Sequence, residues 1–446
     1  MVDLFRKKLP LSCLLRGLLE RCFAAERLDK LYADNASEQY TRNLLFSTAC
    51  ELLLSVVLRV HPSTHAAYQE HPKPLAVSIT ALYDKLKGVE VSVSSALVGE
   101  TAADLSKILD ALNFKPEPWL PGYSVRVLDG NCLAATEKRL QVHQGISAAA
   151  LPGKSLVVLD PERRLLVNVF PCEDGHAQER ALLGTVARII RANELWIADR
   201  NFCTIGFLHS VHQQQAYALM RLHGNLPWAE QSPLSFVALN EEGQRIYQQE
   251  IRVDNRTYRR IRVELLKPTR DGDPYIDMIT DLPDTVSAAI VARLYRQRWT
   301  LETAFQHIEK HFQSELNTLA YPRAALFGFC LALVAYNIFS VMLSALDSAH
   351  EKPVSENISN YYVAHNIAAT FLALLTLSEE QDWRFLAACS ALEFAQWLRE
   401  TALHVNLRAL KKHSRGPKKP KQKPPYDPRH PHVSTYQLLK KKIVTP

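Results

Sequence analysis

The feature that most constrains the fold is a long uncharged stretch, Ala324 to Leu346, in which most residues are apolar. A helix of this length can cross a bilayer, so the stretch has to be buried in lipid or in a large protein core. Polar side chains interrupt it at Asn337, Ser340 and Ser344, which favours a buried core helix. A chain of 446 residues, 47% of them hydrophobic, can build such a core. The length predicts about two to four structural units.

Positive charge is concentrated near the C-terminal end of the chain. Residues 408–442 contain twelve Lys or Arg and one acid, Asp427, so this segment carries +11 and residues 1–407 carry −4. Prolines alternate with the lysines, and such a segment is expected to be extended, solvated and able to bind a polyanion such as DNA. A solubilising tail without a partner is the alternative interpretation.

The cysteines and the N-terminal residues indicate the compartment. The eight cysteines are scattered without a Cys-x-x-Cys pair, which argues against a zinc ribbon and against a disulfide framework. The first ten residues contain no sustained apolar stretch, so we expect no signal peptide. Both observations favour a reducing cytoplasm.

The N-terminal part of the chain has a helical pattern. Apolar residues recur at three- and four-residue spacing in Leu45–Leu58 and Ala102–Leu112, and a proline-rich stretch follows. Ser78–Gly88 has the outline of a capped helix followed by a turn and a second short helix, as in helix-turn-helix DNA-binding domains. Any pair of packed helices explains the same pattern. The region is therefore a candidate for DNA binding.

From Ser124 onwards the pattern is that of a sheet. Short apolar runs predict three strands, the second and third in a hairpin, and then a helix, a strand and a second helix. The segments are Val125–Asp129, Leu156–Leu159, Leu165–Phe170, Arg180–Ala192, Glu194–Asp199 and Phe202–Val211.

Residues from about 216 to 280 alternate between apolar and polar side chains in four segments, which predicts a β-rich insertion. A helix from Ala288 to about Phe312 and two apolar helices, 324–346 and 361–378, complete the predicted body. The expected domains are a helical DNA-binding domain (1–118), the first part of a core (119–213), the insertion (214–283), the second part of the core with C-terminal helices (284–405) and a basic Pro-rich tail (406–446).

Three acids occupy positions suited to metal-dependent chemistry. Asp129 and Asp199 end predicted strands, and Glu302 lies on a predicted helix much later in the chain. Phosphodiester chemistry needs clustered carboxylates, because two divalent cations about 4 Å apart must be neutralised while leaving room for water and phosphate. These three residues are the candidate catalytic and metal-binding set.

The helix that carries Glu302 has a polar face. Tyr295, Arg298, Glu302 and Gln306 are three or four residues apart, which places them on one side of a helix. A guanidinium and a phenol beside a metal-binding carboxylate would grip a phosphate. A surface helix with ordinary Arg–Glu pairing has the same spacing. The order of the three acids along the chain favours the functional interpretation.

These motifs resemble those of the DDE transposases of bacterial insertion sequences, specifically the insertion-sequence-four-like group. Val127–Asn131 resembles the strand that carries the first Asp of the family, and Trp196–Phe202 resembles the second. Tyr295–Phe305 fits the signature Tyr-x2-Arg-x3-Glu closely, including the Arg-Trp pair and the Phe after the Glu. The resemblance covers residues 124–345, and the β-rich insertion is also typical of the family.

The resemblance implies an α/β fold: a ribonuclease-H-like mixed sheet flanked by helices, with an inserted β-rich subdomain and an N-terminal helical domain. It implies metal-dependent cleavage at transposon ends followed by strand transfer, in a family where cut ends can pass through a hairpin. Two Mg²⁺ ions, with Mn²⁺ as a substitute, are the expected cofactors, held by Asp129, Asp199 and Glu302.

The resemblance also implies partners and further contacts. The expected partners are the terminal inverted repeats, target DNA and a second copy of the chain on DNA, with no membrane partner, in a bacterial cytoplasm close to the nucleoid. The candidate DNA-binding residues are Tyr295 and Arg298 near the scissile phosphate, Arg200, Lys310, and Trp299 or Trp228 stacked on an unpaired base.

One departure from the family signature leaves alternatives open. The signature ends with Lys seven residues after the Glu, where this chain has Glu309, and Lys310 follows one residue later. One residue turns a side chain by about 100° around a helix. Lys310 can still reach DNA, or its role has passed to His307 or elsewhere. A catalytically inactive DNA-binding protein of transposon origin is the first alternative, and a protein anchored in a membrane through Ala324–Leu346 is the second.

Overall fold

The computed structural model describes residues 2–37, 44–71, 75–113, 116–133, 140–145, 149–269, 272–316, 319–413 and 432–444. Seven helices precede the first strand of the sheet. They are α1 (Val2–Lys8), α2 (Pro10–Cys22), α3 (Ala25–Asn35), α4 (Phe46–Val57), α5 (Thr64–Gln69), α6 (Ile79–Gly88) and α7 (Val91–Ala111).

Strands and helices then alternate. The strands are β1 (Ser124–Cys132), β2 (Ala149–Leu151), β3 (Lys154–Asp160), β4 (Leu165–Cys172), β5 (Glu194–Ala198), β6 (Tyr217–Arg221), β7 (Ala229–Glu230), β8 (Ser235–Leu239), β9 (Arg245–Val253), β10 (Arg256–Glu264), β11 (Tyr275–Thr280) and β12 (His432–Ser434). The helices are α8 (Leu183–Ala187), α9 (Ile205–Gln213), α10 (Ala288–Gln297), α11 (Trp299–His311), α12 (Pro322–His350), α13 (Asn360–Leu377), α14 (Phe385–Ala388), α15 (Ala391–Ala402) and α16 (Thr435–Val444).

The main sheet has a ribonuclease-H-like centre. Its strand order is β4-β3-β1-β5-β6-β11-β10-β9-β7, and β8 pairs with β9 beside this path. β3 is antiparallel to both β1 and β4, whereas β5 is parallel to β1 and β6 is parallel to β5. An antiparallel hairpin on one side of the first strand and two parallel strands on the other are the ribonuclease-H-like arrangement. The predicted fold class is confirmed.

Alternation along the strands divides the core between the two faces of the sheet. Val127 and Ile197 pack in one large cluster with α7, α11 and α12, whereas Leu128 and Trp196 pack in a second cluster with α8 and α9. β3 is buried at every position, as a strand covered on both faces should be.

The apolar stretch from Ala324 to Leu346 lies in α12 and is buried, as predicted for a core helix. In the most apolar 18 residues of α12, 89% are buried inside the protein. Its polar interruption is explained by the neighbouring strand: Asn337 Oδ1 accepts from the backbone N of Leu166 at 2.7 Å and Asn337 Nδ2 donates to the backbone O of Leu166 at 2.9 Å. Asn337 therefore hydrogen-bonds the backbone of β4 beside a bulge between Val158 and Leu159.

The predicted insertion begins later than expected. Residues 216–222 were predicted to belong to it, but β6 is the fifth strand of the core and pairs in parallel with β5. A strand in the centre of a sheet is covered on both faces, so the local pattern of residues 216–222 does not distinguish a core strand from an inserted one. The remaining inserted strands continue the same sheet, because β11 pairs with β6.

Three predicted helices differ from the structure. The helix over Arg180–Ala192 is shorter: a 3₁₀ turn at Glu179–Leu182 leads into α8, which ends at Ala187. The helix over Phe202–Val211 begins three residues later, at Ile205, because Thr204 caps it through Phe207 N. The helix from Ala288 to Phe312 is divided at Arg298 into α10 and α11.

The helix-turn-helix interpretation is wrong in its second helix. Ser78 caps α6 as predicted, by accepting from Ala81 N at 3.2 Å. The following helix, α7, has 21 residues and packs against α12 and β4, with Val93, Leu97 and Leu105 fully buried. Its buried residues recur at three- and four-residue spacing and cover one side of the helix, so this side is packed in the core and is not free to enter a DNA groove.

Residues 432–444 of the predicted tail form regular secondary structure. Residues 414–431, which contain most of the predicted basic Pro-rich stretch, lie outside the described residues. Beyond them, β12 pairs in parallel with β2, and α16 follows. Gln437 Nε2 donates to Asp174 Oδ2 at 2.8 Å, which fixes the start of α16 on the core.

Candidate functional site

The two aspartates lie next to each other at one edge of the sheet. β1 and β5 are parallel, and their register ends at the pair Leu128 and Ala198. Asp129 is the next residue on β1, which continues to Cys132 instead of ending at Asp129 as predicted, and Asp199 directly follows β5. Carboxyl ends of parallel strands meet at one edge of a sheet, so the topology brings together two acids that are far apart in the sequence.

The third acid is joined to this edge by Arg298. Arg298 Nη1 donates to Asp129 Oδ2 at 2.7 Å, and Arg298 Nη2 donates to Glu302 Oε1 at 2.9 Å. Tyr295 Oη donates to Asp199 Oδ1 at 3.5 Å. Each predicted acid is therefore linked to one of two residues on the predicted polar face, as the spacing of Tyr295, Arg298 and Glu302 indicated.

Burial and neighbouring charges shift the pKa values of three residues in the site. Burial raises the pKa of Asp129 to about 6, against the opposing effects of the Arg298 guanidinium and the Gly130 N–H, while Glu302 and Asp199 raise it further. Burial likewise raises the pKa of Tyr295, so its phenol stays protonated as a donor. Burial lowers the pKa of Arg298, but Tyr295 and the carboxylates around it raise the pKa by a larger amount. The net shift is upward, so the guanidinium stays charged.

The donor set suits a hard divalent cation, but the side chains do not form a closed cage. Three carboxylates supply the oxygen ligands that Mg²⁺ prefers. Across the described ranges, no three or more His, Cys, Asp or Glu side chains are grouped so that they could hold a metal ion. The guanidinium of Arg298 occupies the space between Asp129 and Glu302 instead. A cation bound by Asp129, Asp199 and Glu302 would take over its charge-balancing role.

The other predicted DNA-binding residues lie in different surroundings. Trp299 is 59% exposed, with the Arg298 guanidinium 5.4 Å from its ring centroid. Arg200 is exposed and directly follows Asp199. Trp228 is half-buried, and the Arg260 guanidinium lies 4.8 Å from its ring centroid, so one face of this ring is covered. Trp299 is therefore the better placed of the two tryptophans to stack on a base.

Lys310 does not join the acids. It lines a groove of about 250 Å³ at the end of α11, together with Arg59, Phe312 and Tyr361. His307, the other candidate for the missing lysine, is packed against Phe339, with ring centroids 5.0 Å apart. Both of its ring nitrogens are buried without a hydrogen bond, and burial lowers the pKa of His307 to about 3. His307 is therefore neutral and cannot replace a cationic lysine.

A fourth acid, Glu179, lies at this edge and is not among the residues predicted from the sequence. Glu179, in the 3₁₀ turn after β4, accepts from Asn201 Nδ2 at 2.6 Å through its Oε2. A Cβ atom placed on Gly130 would lie 2.2 Å from Glu179 Oε1, so this carboxylate lies directly against the backbone next to Asp129. No local motif marks Glu179. The one available signal is Gly130, whose lack of a side chain permits the close approach.

Comparison with known proteins identifies the segment that carries these residues. Residues 120–338 match the transposase DDE domain family. The matched segment includes Asp129, Asp199 and Glu302, and it extends from just before β1 into α12.

Other comparisons add little to this assignment. No curated protein matches the chain. Among solved structures, the cryo-EM structure of a piggyBac transposase synaptic complex with hairpin DNA is similar, with 11% sequence identity and a TM-score of 0.40. The similarity covers 85% of this chain and 84% of that chain. The fold assignment of the DDE domain depends on its own sheet topology.

Proposed function

We propose that this chain is a DNA transposase that cleaves at the ends of a mobile element and transfers the cut strand to target DNA. The observation that carries the proposal is the grouping of Asp129, Asp199 and Glu302 around Arg298 and Tyr295 within the matched DDE domain. The finer assignment, to the insertion-sequence-four-like group, is supported by the Tyr-x2-Arg-x3-Glu spacing of residues 295–302.

Asp129, Asp199 and Glu302 would hold divalent cations, Mg²⁺ or in its place Mn²⁺. Such ions, when bound, stabilise the charge on the phosphate and lower the pKa of an attacking water. Arg298, released from its carboxylate partners, would donate to non-bridging oxygens of the scissile phosphate in its bidentate geometry. Tyr295 would donate a hydrogen bond from its phenol to a neighbouring phosphate. The raised pKa of Tyr295 keeps the phenol protonated for this role.

The reaction would proceed in two displacements at phosphorus. Water attacks the phosphate at the 3′ end of the element, the P–O3′ bond breaks, and the proton of the water leaves to solvent. The freed 3′-OH then attacks a phosphate of the opposite strand, giving a hairpin, or of target DNA, giving strand transfer. In either case a new P–O3′ bond forms, the P–O3′ bond of the attacked strand breaks, the proton of the attacking hydroxyl leaves to solvent, and the departing 3′ oxygen takes up a proton. The same carboxylates serve both steps because each step replaces one phosphodiester oxygen by another.

The DNA partners would be the terminal inverted repeats and target DNA. Trp299 and Arg200 flank the acids and are exposed, so they are proposed to contact the strand next to the scissile bond. Two ends must be brought together, and we therefore propose a homodimer on DNA. The helical region 1–118 and the tail 406–446 are proposed to provide additional DNA contacts, in a bacterial cytoplasm.

A DNA-binding protein without cleavage activity is the second candidate. Two observations favour it: Lys310 lines a groove away from the acids, and the described residues contain no ready three-ligand metal group. This candidate retains the proposed DNA contacts and lacks a working metal site.

A nicking assay separates the two candidates. The full chain is incubated with duplex DNA bearing the inverted repeats that flank its gene, with Mg²⁺, with Mn²⁺ or with EDTA. The proposal predicts end-specific nicks that require the metal. Specific binding of the same DNA without metal-dependent nicks would support the inactive candidate. Random DNA of equal length is the control.

A further inference from the structure

Glu179 makes two contacts that belong to different strand ends. Its Oε1 lies against Gly130, which follows Asp129 on β1. Its Oε2 accepts from Asn201 Nδ2 at 2.6 Å, in the turn that follows Asp199 on β5. The neighbouring Arg180 donates from Nε to the backbone O of Asn201 at 2.7 Å. A single 3₁₀ turn therefore contacts both β1 next to Asp129 and the turn that follows Asp199.

These contacts lie just beyond the point where β1 and β5 stop pairing with each other, although β1 stays paired with β3 up to Cys132. The register between β1 and β5 ends at Leu128 and Ala198, so no backbone pairing between these two strands continues to the aspartates. Asp129 is fixed on one side by Gly130 N, which donates to its Oδ1 at 2.9 Å. We propose that Glu179 is a positioning residue that sets the separation of Asp129 and Asp199. This proposal depends on the proposed function for what that separation serves.

We call the contacts of Glu179 with Gly130 and Asn201 the clamp. A contact with Gly130 alone, or with Asn201 alone, would fix one segment of the chain, whereas Glu179 bridges the two segments with the two oxygens of one carboxylate. Glutamine has the same length and keeps an oxygen acceptor for Asn201, so it should preserve the clamp without the charge. Alanine removes both contacts. The pair of substitutions therefore separates positioning from charge.

The experiment compares Glu179→Ala and Glu179→Gln with Glu241→Gln, a control on the inserted hairpin. The proposal predicts that Glu179→Ala lowers the turnover of end cleavage by about 100-fold, a size typical of residues that orient metal ligands. DNA affinity and melting temperature should stay the same. Glu179→Gln should retain turnover within about threefold, as the conservative variant that keeps the clamp. Wild-type turnover in Glu179→Ala would overturn the proposal, as would an equal loss in both variants.

A second measurement does not need cleavage. Binding of Mn²⁺ alone is followed by calorimetry, and amide exchange is measured at residues 129–131 and 200–203. Glu179→Ala should weaken Mn²⁺ binding by about tenfold and speed amide exchange in both of these segments. Glu179→Gln should change neither quantity. If the wild type binds Mn²⁺ but does not cleave, the transposase proposal fails, and the amide exchange rates still test the positioning role of Glu179. Unchanged exchange rates in both segments of Glu179→Ala would contradict the clamp.

Discussion

Arg298 links Asp129 to Glu302: its two terminal nitrogens donate to the two carboxylates at 2.7 and 2.9 Å. Its side chain is only 7% exposed, against 18% for Asp129 and 33% for Glu302. The guanidinium therefore supplies positive charge to two partly buried acids. This arrangement leads directly to a prediction about stability and metal binding.

Replacing Arg298 by Met should lower the free energy of unfolding by about 3 kcal/mol, because it leaves two carboxylates without a counter-charge. Mg²⁺ should raise the melting temperature of this variant more than that of the wild type, since the cation can then occupy the vacated space. Thermal unfolding with and without Mg²⁺ measures both effects. Arg296→Met is the control, because Arg296 is 63% exposed and pairs with Glu242 away from the acids. Equal Mg²⁺ shifts in both proteins would argue against the role of Arg298.

The end of helix α11, which carries Glu302, depends on a residue from the N-terminal region. Arg59 has a left-handed backbone, with φ of 60°, and its Nη2 donates to the carbonyl oxygens of Phe312 at 3.1 Å and Glu309 at 3.4 Å. Arg59→Gly should relieve about 1 kcal/mol of backbone strain and lose hydrogen bonds of similar value, leaving stability nearly unchanged. Amides of residues 310–312 should exchange faster.

The control for Arg59 is Gln215→Gly, at a residue with a similar φ of 56°. It removes the same kind of strain at the end of α9 and does not touch the end of α11, so it should stabilise the protein slightly and leave exchange in α11 unchanged. If Arg59→Gly leaves the exchange of residues 310–312 at the wild-type rate, the guanidinium does not hold the end of α11.

Asp281 should make stability depend on pH. Burial raises its pKa to about 6, with the Ala218 N–H opposing the shift. Its unfolded pKa is about 3.9, so the folded state holds its proton longer, and stability should fall as pH rises from about 4 to about 6, by about 3 kcal/mol. Asp281→Asn keeps the acceptor for Ala218 and should remove this slope. Urea unfolding at several pH values measures it, with exposed Asp34→Asn as the control. Parallel pH profiles for Asp281→Asn and the wild type would contradict the assignment.

Asn337 should be the polar residue of α12 that matters most for folding. It makes two hydrogen bonds with the backbone of Leu166, and both partners are buried. Asn337→Leu would leave a backbone donor and an acceptor unsatisfied, at a cost of about 3 kcal/mol. Ser344→Ala is the control, because Ser344 only bonds back to the Ser340 carbonyl in its own helix and should cost less than about 1 kcal/mol. Denaturant unfolding compares the two variants, and equal losses would refute the account.

The candidate acids could be predicted because their signals are local. An apolar run followed by Asp marks the strand ends at 129 and 199, and helical spacing places Tyr295, Arg298 and Glu302 on one face. The contact of Arg298 with Asp129 confirms that this face is turned toward the sheet. Parallel order in the sheet then does what the sequence cannot show, which is to bring the two strand ends side by side.

Other features could not be predicted, because they arise only from long-range packing. The place of β6 in the sheet centre depends on its parallel pairing with β5, which no local pattern shows. Glu179 and Arg59 act on loops and helix ends that are distant in sequence. Similarly, the burial of α7 follows from the helices and strand that surround it, and its local pattern also suits a DNA-binding helix.

The most direct test of the central claim is end cleavage by Asp129→Asn, Asp199→Asn and Glu302→Gln. Each substitution keeps the shape of the side chain and removes one charge. We expect each to reduce metal-dependent cleavage by about 1,000-fold or more while binding the same end DNA with unchanged affinity. Cleavage at the wild-type rate by Asp199→Asn would contradict the assignment of these three residues as the catalytic acids.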